Sequence, residues 1–253
     1  MTDDRMIFSK RYDVRANEVD PAGRPAIRAL GYWLQDAAGS HAGELGASIE
    51  EMTRQGWTWV MTRLQVRLVR PLRWGDAVVI ETWPAGVRPR LTYRDFVLRL
   101  ASGEPVGSAI SAWMVLDLAT RHPVHIPDFV KNFRQPVRGR EDDELPRLRA
   151  PAADAPSTSL RINRSDLDVN RHANNVSYLG WLVEAVPDAA WQNCWLDQFD
   201  IAYRAEGLGG DQIVSRCAEV ERSGQTTVYA HSLVRSSDGS ELALGRSVWT
   251  ERG

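Results

Sequence analysis

Apolar positions in this chain follow two periods, and the two periods occur in the same order twice. In residues 26–38 (AIRALGYWLQDAA) Ile27, Leu30, Leu34 and Ala37 or Ala38 fall three or four apart, the spacing that gathers apolar side chains on one face of a helix. Strand-like stretches follow at 62–70, where Leu64, Val66 and Leu68 alternate, and at 76–83, 91–101 and 106–118, the last after a Ser102-Gly103 turn. Further on, Val176, Leu179, Leu182, Val183 and Val186 predict a helix over 175–186, stopped by Pro187. Strands are again expected at 198–206, 211–221, 226–236 and 240–251, with Asp238-Gly239 as a hairpin signal between the last two.

The two series share anchor points. Trp74-Gly75-Asp76 matches Gly209-Gly210-Asp211, Ser111-Ala112-Trp113 matches Ser247-Val248-Trp249, and the separations agree within one residue. Agreement in helix, strands, turn and spacing points to internal duplication. One long helix on a curved antiparallel sheet, present twice, is an α+β tandem hotdog arrangement, and fusion lets each unit cover apolar surface of the other. The expected organisation is an N-terminal unit over 1–135, a linker over 136–157, rich in Pro, Ala, Arg and acids and without a period, and a C-terminal unit over 158–253.

Composition narrows the functional classes. With 253 residues, 43% hydrophobic and 25% charged, the chain is long enough for two ordinary cores and has the make-up of a soluble globular protein. A net charge of −2 speaks against nucleic acid as a partner, and no apolar run is long enough for a membrane span. The opening MTDDRMIFSK carries no export signal, so a cytoplasmic location is expected. Cys194 and Cys217 lack metal-ligand spacing and read as buried, reduced thiols.

The densest polar cluster, Ser165–Asn175, directly precedes the second helix. Asn174 and Asn175 suit helix capping. Asp168, Asn170 and His172 alternate, which in an extended stretch would present three polar groups to one side. Sliding the second helix onto the first by 148 residues sets Asp168 on Asp20, Asn170 on Ala22 and His172 on Arg24. The architecture therefore does not need Asn170 and His172, and a single site in the C-terminal half is expected.

The stretch SDLDVNRHANNVSYLGWLVEAVP resembles the signature of the plant-type fatty acyl-acyl-carrier-protein thioesterases and their bacterial relatives. RLQVRLVRPLRWGDAVVIETW and SAWMVLDLATRHPVHIPD resemble the corresponding N-terminal regions, so the likeness runs from about residue 8 to 250. It implies hydrolysis of a fatty acyl thioester on acyl carrier protein by Asp168, Asn170, His172 and Glu206, the last on a later strand. Plant members carry a cysteine after that glutamate; here the position is Gly207, which excludes a thiol nucleophile there. A water-based reaction without cofactor or metal is expected, with Glu206 or Asp168 as base, Asn170 holding water or carbonyl, and His172 orienting substrate or shuttling a proton. Amides at the start of the second helix would face the thioester oxygen. Trp33, Leu34, Ala37, Trp59, Met61 and Asn175 are candidate substrate-binding residues, and Arg88, Arg90 and Arg94 are candidates for meeting an acidic carrier protein. An acyl-CoA thioesterase of the same fold and a non-catalytic acyl-thioester sensor are the alternatives, and a homodimer is left open.

Overall fold

The computed structural model describes residues 6–133 and 145–251. In the first half, β1 (Phe8–Asp13) leads into α1 (Ile27–Glu44), the short α2 (Ile49–Arg54), β2 (Trp57–Leu68), β3 (Ala77–Val87), β4 (Thr92–Leu100), β5 (Pro105–Asp117), β6 (Pro123–Val124) and α3 (Asp128–Lys131). The second half has β7 (Ser157–Arg161), α4 (Asn175–Val183), α5 (Asp188–Asn193), β8 (Cys194–Tyr203), β9 (Gln212–Ser223), β10 (Thr226–Arg235) and β11 (Glu241–Glu251). Of the expected linker, 136–144 lies outside the described residues, and 145–156 has no helix or strand.

All strands join one antiparallel sheet in the order β1-β3-β4-β5-β2-β8-β11-β10-β9-β7, with β6 on β5. The order reads the same from both edges once each strand is replaced by its copy, so the halves meet through β2 and β8 at the centre. There Gln65 pairs with Asp200 in register, flanked by Leu64↔Ile201 and Val66↔Phe199. Those apolar neighbours face the helices and are buried, worth about 1.5–3 kcal/mol each by removal from water. Asp200 faces away, fully buried, and its carboxylate accepts from Arg63 Nη2 at 2.6 Å and Gln65 Nε2 at 3.1 Å, which offsets the cost of an enclosed charge. The strap after 145 covers this face: Leu148 packs on Ala202 and Leu244, and Pro146 C=O accepts from Arg63.

On the other face α1 and α4 cross at glycines. A Cβ on Gly31 would come within 2.5 Å of Leu179 Cδ1, and one on Gly180 within 2.5 Å of Arg28 Cδ, so each helix lies close only because the other offers no side chain there. α1 continues six residues beyond the expected end at 38, because His41 keeps the buried face of Leu34, Ala37 and Ala38 going through Gly39 and Gly43.

The repeated anchors are repeated turns. Asp76 accepts from Arg73 N at 2.9 Å and Asp211 from Leu208 N at 3.0 Å, with Gly75 and Gly210 at φ 88° and 96°. Likewise Trp113 Nε1 donates to Ser111 Oγ at 2.7 Å, and Trp249 Nε1 to Ser247 Oγ at 2.8 Å.

Candidate active site

The Asp168 segment is a closed turn and not an extended stretch. Leu167 and Ala173 form a bridge, Asp168 N–H donates to His172 C=O at 2.8 Å, and Arg171 adopts φ 62°. The Asp168 carboxylate accepts from Asn170 N at 2.8 Å and His172 N at 3.2 Å. The first half builds the same turn: Val19 bridges Pro25, Asp20 N–H donates to Arg24 C=O at 2.8 Å, Gly23 takes φ 73°, and the Asp20 carboxylate accepts from Ala22 N and Arg24 N at 2.9 and 3.0 Å. Asp168 thus does in the second half what Asp20 does in the first, which is to tie the turn to its own amides. The residues carried by the turn are what differ.

In the second half the turn opens onto a cleft of about 560 Å³ lined by Asp168, Asn170, His172, Asn175 and Glu206 together with Trp59, Met61 and Tyr203. Glu206 lies in the bend just past β8 and not on a strand, its carboxylate 3.5 Å from His172 Nε2. That bend is fixed from several sides. Tyr178 Oη donates to Ala205 C=O at 3.1 Å and accepts from Gly207 N at 2.7 Å, and Arg235 donates to Glu206 C=O. Burial pushes Tyr178 up to about 12, so it remains a neutral hydroxyl at this junction. Gly207 is packed too closely for a side chain: a Cβ would meet Ile162 Cδ1 at 2.5 Å and Tyr178 Oη at 3.2 Å.

The sequence did not single out Arg121, whose Nη2 straddles Glu206 Oε1 and Oε2, 2.6 Å from each. It stands in the turn after β5 at φ 59° and reaches the cleft from the first half. Nothing in the spacing of DLATRH marks it; only the pairing of the halves brings it to Glu206.

At the start of α4, Asn174 Oδ1 accepts from Val176 N at 3.1 Å and Asn174 C=O from Ser177 N at 2.9 Å. The Val176 and Ser177 amides are thus used within the helix and are not free to face a substrate oxygen as expected, whereas the Asn170 and Asn175 side chains line the cleft.

Of the candidate acyl-binding residues, Trp59 and Met61 line the cleft, with Trp59 Nε1 anchored on Ala47 C=O at 2.9 Å. A small cavity of about 10 Å³ shares Met61 and Tyr203 with the cleft and touches Leu34, Gly31, Phe96 and Trp113. Trp33 and Ala37 line neither space. Trp33 turns toward β1, stacks on Tyr12 with centroids 5.9 Å apart and donates to Glu18, while Ala37 is fully buried in the core. Arg94 is not a surface group either: its Nη1 lies 2.9 Å from His41 Nδ1 beneath α1, and burial pulls it down to about 10. Arg88 and Arg90 are exposed.

In the first half the corresponding space is far smaller, about 50 Å³, and the residue at the His172 station lines it with its guanidinium engaged. Arg24 donates to Asp20 Oδ2 at 2.6 Å, Cys194 C=O at 2.7 Å and Trp191 C=O at 2.8 Å, between the rings of Trp191 and Trp195. Among the described residues no group of His, Cys, Asp and Glu is placed to hold a metal ion, and no helix is long and apolar enough to cross a membrane.

Comparison with known proteins places this geometry. The model of the acyl-ACP thioesterase N-terminal domain matches residues 5–133, and that of the acyl-ACP thioesterase C-terminal domain matches residues 150–251. The chain belongs to the acyl-ACP thioesterase family. Within that family it is 30% identical over 262 residues to a chloroplastic palmitoyl-acyl carrier protein thioesterase of Cuphea hookeriana, covering 97% of this chain and 63% of the relative. The chain therefore spans a little under two thirds of the length of that relative. The 12:0-ACP thioesterase of Umbellularia californica superimposes with a TM-score of 0.83 at 28% identity, covering 98% of this chain and 95% of that one. An acyl-ACP thioesterase from Bacteroides thetaiotaomicron shares the fold, with a TM-score of 0.86 at 24% identity over 98% of this chain and 100% of that one.

Proposed function

We propose that this chain hydrolyses a fatty acyl thioester of acyl carrier protein to free fatty acid and carrier thiol. The observation that carries the reading is the juxtaposition of His172 and Glu206 in a cleft that also presents two side-chain amides and ends against an apolar wall. Family membership supports the same substrate class.

The His172–Glu206 pair is the acid–base machinery, beside Asp168, whose Oδ1 ties the turn to its amides while its carboxylate lines the same cleft. The pair takes a proton from water as the water oxygen bonds to the thioester carbonyl carbon. Asn170 and Asn175 donate to the oxygen that gains negative charge. Collapse of the tetrahedral intermediate breaks the carbon–sulfur bond, and the departing thiolate receives the proton held by the pair. The acyl chain runs past Met61 and Tyr203 toward Leu34. The space there is only about 10 Å³, so an acyl chain enters it as side chains move aside, which ties chain-length preference to that wall.

The choice of a carrier protein over coenzyme A rests on family membership. Arg147, Arg149 and Arg204, with Glu241 beside Arg204, line a groove next to the cleft that would attract an acidic carrier and the phosphates of coenzyme A alike. Turnover of matched acyl-carrier and acyl-CoA substrates by purified protein tests the reading. Higher kcat/KM on the carrier substrate, falling as salt rises, is expected. Equal or better use of acyl-CoA would make it an acyl-CoA thioesterase, and stoichiometric binding without thiol release would make it a sensor.

A further inference from the structure

Glu206 is about half exposed, and a glutamate in such a place would ordinarily sample several rotamers. Its backbone is fixed from within the second half by Tyr178 and Arg235. Its carboxylate is held from the first half, by Arg121. The turn that presents Arg121 is built for a fixed direction: the Asp117 carboxylate accepts from Ala119 N, Thr120 N and Thr120 Oγ1 at 3.0, 2.8 and 3.0 Å, and Asp117 C=O accepts from Arg121 N at 2.8 Å. Arg121 itself takes φ 59°, a left-handed conformation that side chains avoid unless the surroundings enforce it. An exposed ion pair adds little to folding, so neither the strain nor the pairing is explained by stability.

We propose that Arg121 is a positioning residue: it holds the Glu206 carboxylate against His172, so that the site in the second half works only with the first half docked on it. The inference rests on the reading of Glu206 and His172 as the reacting pair. Arg121 acts on kcat through Glu206 and leaves substrate affinity to other groups.

Steady-state kinetics and thermal melting of the full chain test this on wild type, Arg121→Gln, Arg121→Lys, Glu206→Gln and the Arg121→Gln/Glu206→Gln double variant, with an acyl-carrier substrate. The expected result for Arg121→Gln is a kcat lower by about ten- to a hundredfold, the scale of a misplaced catalytic group, with KM within about threefold and the melting temperature unchanged. Arg121→Lys keeps the charge and recovers part of kcat. In the Glu206→Gln background the same Arg121 change costs nothing further, because the group it positions is gone. Unchanged kcat in Arg121→Gln, a change confined to KM, or an equal loss in both backgrounds would overturn the inference while leaving the site reading in place. Wild-type turnover in Glu206→Gln would instead remove the site reading, and the inference with it. Should Arg121→Gln melt early, Arg121→Lys decides: wild-type kcat there overturns the need for the Arg121 guanidinium and reduced kcat at unchanged KM supports it.

Discussion

Arg24 and His172 stand at the same station of two copies of one turn, and they meet opposite surroundings. His172 faces an open cleft and Glu206, whereas Arg24 is enclosed by Asp20, two backbone carbonyls and two tryptophan rings. The first copy thus carries a buried ion pair where the second carries an open pair of polar side chains. Arg24→Ala strands the Asp20 carboxylate, only 8% exposed, without its cation and is expected to cost about 3–5 kcal/mol of stability. Turnover per folded molecule, measured well below the melting transition, stays within a few-fold of wild type. Denaturant unfolding beside activity separates the two, and loss of turnover with unchanged stability would contradict the division between the halves.

A second exchange between the copies sets a pH dependence. His231 on β10 is fully buried against Phe199, with Nε2 2.7 Å from Ser247 Oγ, and burial lowers it from 6.5 to about 4; Phe96 is at the matching place on β4. Below 6.5 the unfolded chain takes up a proton that the folded chain refuses. The contribution is therefore whole above 6.5 and shrinks as pH falls toward 4, by about 3 kcal/mol in all. His231→Phe should flatten that part of the stability–pH curve, as followed by urea unfolding between pH 7 and 4.5. An equal slope in both proteins would show that His231 is not the group responsible.

Much of this fold was readable because burial imposes a period. Ile27, Leu30 and Leu34, and Val176, Leu179 and Leu182, mark their helices whatever their partners. β1 was missed because Lys10 interrupts the inward row of Phe8 and Tyr12 on an edge strand, and α2 and α5 because six residues are too few to show a period. The turn at Asp168 was misread as extended because Arg171 is a non-glycine residue at positive φ. Gly23 at the same station of the first copy was the signal that would have corrected it. The alternation correctly brought Asn170 and His172 to one cleft, although the backbone reason was wrong. Arg121 had no local signal, since its position follows from β2 pairing with β8.

The cysteines make a chemical prediction. Cys194 and Cys217 are buried, burial pushes Cys217 up to about 12, and Gly207 has no room for a side chain. Alkylating reagents applied to the folded protein, and the Cys194→Ala/Cys217→Ala double variant, should both leave hydrolysis within about threefold of wild type. Inactivation of folded protein at a rate matching the modification of one thiol would argue for a cysteine nucleophile.

Chain-length preference should follow the wall shared by the cleft and the small cavity beside it. Met61→Ala removes part of that wall, and Leu34→Phe narrows the space behind it. The first should move the optimum toward longer chains and the second toward shorter ones, graded over neighbouring lengths because each methylene is worth about 1–3 kcal/mol in discrimination. A profile of kcat/KM over a series of acyl-carrier substrates checks both. Identical profiles would place the acyl pocket elsewhere.

The central claim is that thioester hydrolysis happens at the turn carrying Asn170 and His172, and thiol release from an acyl-carrier substrate tests it most directly in wild type, Asn170→Ala and His172→Ala. Both side chains face the cleft, and neither is needed by the copy of the turn in the first half, so the variants should fold and melt as wild type does. Free thiol should appear with wild type, and kcat should fall by about two orders of magnitude or more in each variant, as for lost transition-state contacts. Near wild-type thiol release from either folded variant, or none from wild type across the chain-length series, would contradict the account.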